Sequence, residues 1–242
     1  MRYYMKQIVF FLALLPLALF SQSADSSCIK RFAIGLNYSP DYSYRILAPE
    51  PQVKWIADLR DSSETPKYGF TTGLNLLFRI NKRLTLETGF QYSNKGEMND
   101  GNIVLIDDID ANKPPLNAPR ITAIYSYNYL DIPIKANYYL IIKKFKLFLS
   151  AGISNNLFIS SKNKFLFKYP DGSSSTIKGE GPKLFPVNFT LLAGFGIEHQ
   201  LNKRFSLRLE PIYRRSITSI IDAPIRGYLY SAGMNFGLYY SL

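Results

Sequence analysis

Cysteine, histidine and long apolar runs are what this 242-residue chain has least of, and each scarcity removes a class of chemistry. Its one cysteine, Cys28, cannot close an intrachain disulfide, and a thiolate metal site needs more ligands than one. Asp25-Ser26-Ser27 before it is not the apolar-then-small context in which an exported cysteine takes a lipid. Its one histidine, His199, would have to serve any Ser–His or His–Ser–acid set. His199 lies just before the turn residue Asn202 and its parity points outward, so no serine is placed to meet it. The run Asp107-Asp108-x-Asp110 lacks the glycine and terminal glutamate of a calcium loop, and no glycine-rich phosphate loop occurs. No catalytic residue, cofactor site or metal site is assigned, and none is expected.

Beyond Phe20 no apolar stretch is long enough for a membrane-spanning helix. Before it, Arg2 and Lys6 precede the apolar run Ile8–Phe20, followed by Ser21-Gln22-Ser23-Ala24. A basic start, a short apolar segment and a small-residue exit have the layout of a secretory signal peptide. Residues 1–23 are read as that peptide, with cleavage near 21–24, and 24–242 as a single domain. Acidic residues are also scarce: 18 Asp and Glu against 29 Lys and Arg leave a net charge of +11. An exported chain rarely meets nucleic acid, so anionic lipid headgroups and lipopolysaccharide phosphates are the expected partners for that charge.

Aromatics are plentiful at 15%, with 18 Tyr and 17 Phe, while the mean hydropathy is only −0.06. Alternation reconciles the two figures. Phe70, Thr72, Leu74, Leu76, Phe78 and Ile80 fall on one face, opposed to Thr71, Gly73, Asn75 and Arg79 with Leu77 as an exception. After Asn81-Lys82-Arg83 the pattern resumes, Leu84, Leu86, Thr88, Phe90 and Tyr92 against Thr85, Glu87, Gly89, Gln91 and Ser93. A second Asn-Lys-Arg at 202–204 divides two more such runs, so both read as tight hairpin turns. With a third turn at Lys143-Lys144, eight strands emerge near 31–44, 68–80, 84–94, 122–141, 146–161, 186–200, 205–216 and 226–242. Tight turns alternate with long connections. The basic segment 162–185 carries Lys162, Lys164, Lys168, Lys178 and Lys183 and reads as a hairpin about Pro170-Asp171-Gly172.

These features predict an all-β, eight-stranded antiparallel transmembrane up-and-down β-barrel with short periplasmic turns and long extracellular loops. A water-soluble eight-stranded barrel would turn the apolar faces inward instead. The small and charged faces suit the crowded interior of a narrow barrel. Parity then places Arg79, Glu87, Asp131, Lys135, Glu198, Arg208, Glu210 and Arg214 in the lumen, where both signs must pair into a structural ion network. Pro133 is expected to remove one ladder hydrogen bond and to mark a bulge or local irregularity.

The last strand ends Asn235-x-Gly237-x-x-Tyr240-x-Leu242, which resembles the C-terminal signal read by the outer-membrane barrel assembly machinery. Tyr129-Leu130-Asp131-Ile132-Pro133, supported by the stretch 69–96 and the closing strand, resembles the PorT-like outer-membrane β-barrel family of Bacteroidota. That resemblance implies a barrel of the Gram-negative outer membrane, usually without an assigned substrate; one branch serves type IX protein secretion. The expected function is a non-enzymatic monomer that anchors surface loops for binding, adhesion or envelope assembly. Its expected partners are outer-membrane lipid and lipopolysaccharide, the assembly machinery and other envelope proteins. A component of a secretion machine and a narrow channel are the alternatives.

Overall fold

Alternation with a period of two makes each strand of the barrel carry one oily face and one polar face, and the chain satisfies both by rolling into a cylinder. The computed structural model describes residues 31–100, 120–169 and 171–242. The signal segment, Cys28, Asp107, Asp108, Asp110 and Pro170 lie outside the described residues.

Nine strands follow one another: β1 (Phe32–Pro49), β2 (Glu64–Arg79), β3 (Leu84–Asp100), β4 (Arg120–Ile142), β5 (Phe145–Lys168), β6 (Ser174–Glu180), β7 (Val187–Gln200), β8 (Phe205–Ser216) and β9 (Ile225–Ser241). All pairings are antiparallel, in the order β4-β3-β2-β1-β9-β8-β7-β5, and β5 pairs back onto β4. Eight strands therefore close a barrel, and the short β6 hangs on the far end of β5. No described helix is long and apolar enough to cross a membrane. Crossing falls to the strands.

The orientation is decided by exposure. Leu74 is 54% exposed and Phe195 61%, whereas Glu87 and Asn75 are at 0%. Apolar side chains face out and polar ones fill the cylinder, the inverse of a soluble barrel. Two aromatic belts bound the outer wall. Phe32–Phe78 and Phe205–Tyr240 mark the end bearing the tight turns, with ring centres 5.1 and 5.2 Å apart. Tyr42–Tyr68, Tyr44–Tyr230 and Tyr213–Tyr230 mark the other end, at 5.2, 6.1 and 6.3 Å. Short turns at one end and long loops at the other assign the first to the periplasm.

The repeated Asn-Lys-Arg performs one task twice. Asn81 Oδ1 accepts the amides of Arg83 and Leu84, each at 2.8 Å. Asn202 Oδ1 accepts those of Arg204 and Phe205 at 2.8 and 2.9 Å. The carboxamide satisfies amides that a two-strand ladder leaves free at its tip.

Three features differ from the sequence expectation. The connection after β1 is not a plain loop but holds a 3-10 turn (Pro51–Val53) and an α-helix, α1 (Lys54–Ser63). Strands β1, β3, β4 and β5 run past their expected ends, so the segment read as a hairpin of two short strands is the tip of β5 joined to β6 at a turn where Gly172 has φ 83°. Pro133 marks a local irregularity and not a bulge. It stays in register opposite Ser154, and the ladder to β3 only skips between Asp131 and Ile134. The register shifts of β4 against β5 fall instead at Asn128/Tyr129 and Tyr139/Ile141. A proline removes one donor, which a ladder can lose without inserting a residue.

Candidate functional site

Cross-strand register brings the lumenal charges together. Glu87 on β3 lies directly opposite Lys135 on β4, and Glu198 on β7 opposite Arg208 on β8. Arg208 donates to Glu198 at 2.8 Å and to Glu87 at 3.2 Å. Lys135 reaches Glu210 at 2.9 Å and Glu87 at 3.4 Å, and Lys146 reaches Glu198 at 2.9 Å. Three cations and three carboxylates thus form one continuous chain across the barrel. Neutral groups complete it: Asn137 donates to Glu87 at 2.8 Å, Asn235 to Glu210 at 3.0 Å, and the Tyr139 hydroxyl to Glu198. The Arg208 guanidinium lies 4.7 Å from the centre of the Tyr239 ring and 5.0 Å from that of Phe148. Desolvated charges are tolerable only when paired and hydrogen-bonded in this way.

Toward the loops stand two separate pairs. Arg214 donates to Asp41 at 2.8 Å, and Lys95 to Asp131 at 2.9 Å. A β-carbon on Gly233 would lie 1.9 Å from the Asp41 carboxylate, so the pair requires a residue without a side chain there. Gly237 is lumenal for a related reason, since its β-carbon would meet the Tyr239 ring at 2.5 Å. The void among Gln91, Lys95, Asp131, Lys135, Arg214 and Asn235 measures about 10 Å³, room for about one water.

Of the eight charges placed in the lumen by parity, Glu87, Asp131, Lys135, Glu198, Arg208, Glu210 and Arg214 are buried there. Arg79 is half-buried at the turn-end rim, its guanidinium 3.4 Å from the Ser241 hydroxyl. Sequence reasoning missed Asp41, Lys95 and Lys146, although Asp41 and the lumenal Tyr239 follow the same parity. Of the strand Tyr129-Leu130-Asp131-Ile132-Pro133, the odd members face inward and are buried, and Leu130 and Ile132 are half-exposed on the wall. In the last strand Asn235 and Gly237 face the lumen. Tyr240 packs on Phe205, and the Leu242 amide donates to the Phe32 carbonyl at 3.0 Å, tying the last strand to the first.

A different cluster occupies the loop-end mouth. Arg45, at the tip of β1, pairs with Asp61 of α1 and with Glu64. Arg60 of α1 donates to Glu64 at 2.7 Å and lies 3.8 Å from Glu97. The Tyr127 hydroxyl donates to Glu97 at 2.7 Å. Burial pushes the Glu97 carboxyl, above the aromatic belt, up to about 7, against the opposing pull of that hydrogen bond. Beside the cluster, Tyr127, Tyr129, Leu184, Ile220 and Leu229 form an apolar stopper, to which two loops contribute Leu184 and Ile220.

His199 stacks on Phe145 at 4.5 Å on the outer wall of the turn end, and its Nδ1 has no hydrogen-bond partner. Among the described residues no three His, Cys, Asp or Glu side chains converge in a way that could hold a metal ion. The Lys162, Lys164, Lys168 and Lys178 side chains are exposed on the β5–β6 hairpin, and Lys183 on the segment after it.

An ion-filled barrel whose apolar wall faces outward between aromatic belts is an outer-membrane barrel. The chain belongs to the outer membrane protein beta-barrel domain family, whose model matches residues 20–222. No curated protein sequence matches it. Among solved structures it is similar to Neisserial surface protein A (14% identity, 87% of this chain and 97% of that one, TM-score 0.44). It is similar too to Ail, the attachment invasion locus protein of Yersinia pestis (10%, 86% and 99%, 0.36), and to the outer membrane protease OmpT from Escherichia coli (9%, 92% and 100%, 0.43).

Proposed function

We propose that the protein is a non-enzymatic, monomeric outer-membrane barrel that recognises a partner strand above the membrane rather than moving a solute through it. The observation that carries this reading is the length of β4 and β5. They run 23 and 24 residues, whereas a tilted strand needs about 9–11 to cross the bilayer. The surplus stands outside as a sheet that ends in β6, whose seven residues are all exposed and whose other edge no described strand pairs. An unpaired edge is a template for another extended segment. Lys164 and Lys178 sit directly opposite each other in that sheet, a repulsion that an acidic partner strand relieves. The same reading has the C-terminal signal around Asn235, Gly237, Tyr240 and Leu242 deliver the chain to the assembly machinery. It also keeps the Tyr129–Pro133 motif as a PorT-like trait.

A photo-crosslinker placed at Ile177 in living cells tests the proposal. A discrete protein adduct is expected, abolished when residues 170–181 are replaced by a two-residue turn. No adduct at Ile177, or the same adduct from the lipid-facing position Leu74, defeats it. Planar-bilayer recordings of the folded barrel are expected to be silent.

A further inference from the structure

The outer wall carries a feature that neither the plugged lumen nor the β6 edge uses. The outward face of β8 reads Phe205, Leu207, Leu209, Pro211, Tyr213 and then Arg215, which is exposed. Arg215 lies ten residues from Phe205, about the length that carries a tilted strand across the bilayer, and it pairs with Tyr230 of the loop-end aromatic belt. The arginine therefore stands at the outer interface, where a charge on the lipid face costs far less than at mid-membrane.

Arg215 also lines a groove of about 550 Å³ whose other walls are Ile46, Ala48, Leu191, Ile217 and Tyr228, with Ser216 at one edge. Apart from the guanidinium and two hydroxyls, that groove is hydrocarbon. A second arginine belongs to the same strip. Arg226 lies opposite the groove residue Ala48 and on the same face of β9 as Tyr228 and Tyr230. Four residues beyond Tyr230, it sits about 13 Å farther along the strand, in the headgroup zone. Among the described residues neither arginine joins an ion pair or donates a side-chain hydrogen bond.

We infer that this strip is a specific site for a phosphorylated glycolipid of the outer leaflet, the lipid A part of lipopolysaccharide. An acyl chain lies in the groove against Leu191 and Ile46, and the arginines receive the phosphates above it. Guanidinium groups suit that task because their fixed fork of donors matches phosphate oxygens in pairs. The outer leaflet offers phosphate and hydrocarbon on one molecule at this depth, and the strip offers the complement of both. The inference is independent of the β6 edge: either can fail alone.

The test uses the folded barrel in detergent, followed by native mass spectrometry. The probes are bisphosphorylated lipid A, the same lipid stripped of phosphate, phosphatidylglycerol and inorganic phosphate. Bisphosphorylated lipid A is expected to bind best, and the double variant R215A/R226A to bind it roughly tenfold or more weakly, the loss of at least one charge-assisted contact. Removing the lipid phosphates should weaken binding to the wild type equally. Leu191→Trp, which fills the groove and leaves both arginines, should also weaken it. All variants should retain heat-modifiable migration, because only lipid-facing side chains change. Unchanged binding by R215A/R226A overturns the inference. So does equal binding of phosphatidylglycerol, which makes the contact nonspecific, or full competition by inorganic phosphate, which makes the groove irrelevant.

Discussion

The barrel holds two ion clusters made from the same residue types, and they are built differently. The turn-end cluster (Lys146, Glu198, Arg208, Glu87, Lys135 and Glu210) comes entirely from strands whose register places partners opposite one another. The loop-end cluster borrows Arg60 and Asp61 from α1, and those members reach solvent: the Asp61 side chain is 56% exposed and that of Arg60 is 37%. Side chains packed inside the closed wall have no solvent to turn into, whereas a helix docked by ion pairs can lift. One cluster is part of the wall. The other is a latch.

The strongest way to break this distinction is at Arg208. Arg208→Ala leaves Glu87 and Glu198 each with a single cation in a dry interior, and the expected loss is about 3 kcal/mol. Urea unfolding in lipid vesicles, read by the gel shift between folded and boiled protein, measures it. A loss under 1 kcal/mol would show that water reaches the lumen and that the cluster is no plug. Next comes Gly233→Ala, expected to cost about 1–3 kcal/mol because a methyl group displaces the Asp41 carboxylate from Arg214. The same assay reads it.

The two clusters also differ in how far the sequence discloses them. Parity finds Glu87, Lys135, Glu198, Arg208 and Glu210 because a strand's period is two and a narrow barrel has one inside. The same rule reaches Asp41 and Tyr239 once it is carried along β1 and β9. Arg45 and Glu97 escape because they lie beyond the point where alternation of oily and polar residues stops. Above the membrane the outer face no longer needs to be apolar, so the signal fades while the ladder continues. Helix α1 has even less of a local signature. Its N-cap is Val53, which offers no side-chain acceptor, and no side chain caps the helix. It is held by Arg60 and Asp61 through partners on other elements, which no local pattern shows.

Acidity separates the clusters more finely. Glu97 lies above the aromatic belt, and its folded carboxyl keeps a proton to about pH 7 because it is buried; in the unfolded chain it ionises near its ordinary value of 4.5. Between those values the folded state holds the extra proton, so stability falls as pH rises from about 4.5 to about 7. Glu97→Gln should remove that slope, and the difference between the variant and the wild type should reach about 1–3 kcal/mol at pH 7.5 and vanish near pH 4. Unfolding midpoints across that range decide it. A constant offset instead of a slope would mean that Glu97 is ionised throughout and belongs with the wall cluster.

The smallest expected effect is the most diagnostic. Arg60→Ala removes contacts to Glu64 and Glu97 from a side chain that is already partly in water, so global stability should change by no more than about 1 kcal/mol. Yet the variant leaves the Asp61–Arg45 pair, beside the buried Ala57, to hold α1 on the barrel. Hydrogen exchange of the amides in 54–63 should therefore quicken severalfold while those of β3 and β4 within the membrane stay unchanged. If exchange quickens equally in helix and wall, the mouth and the lumen are one cooperative unit and the latch does not exist as a separate element. If neither moves, Arg60 is a bystander and the apolar stopper of Tyr127, Leu184 and Ile220 alone closes the mouth.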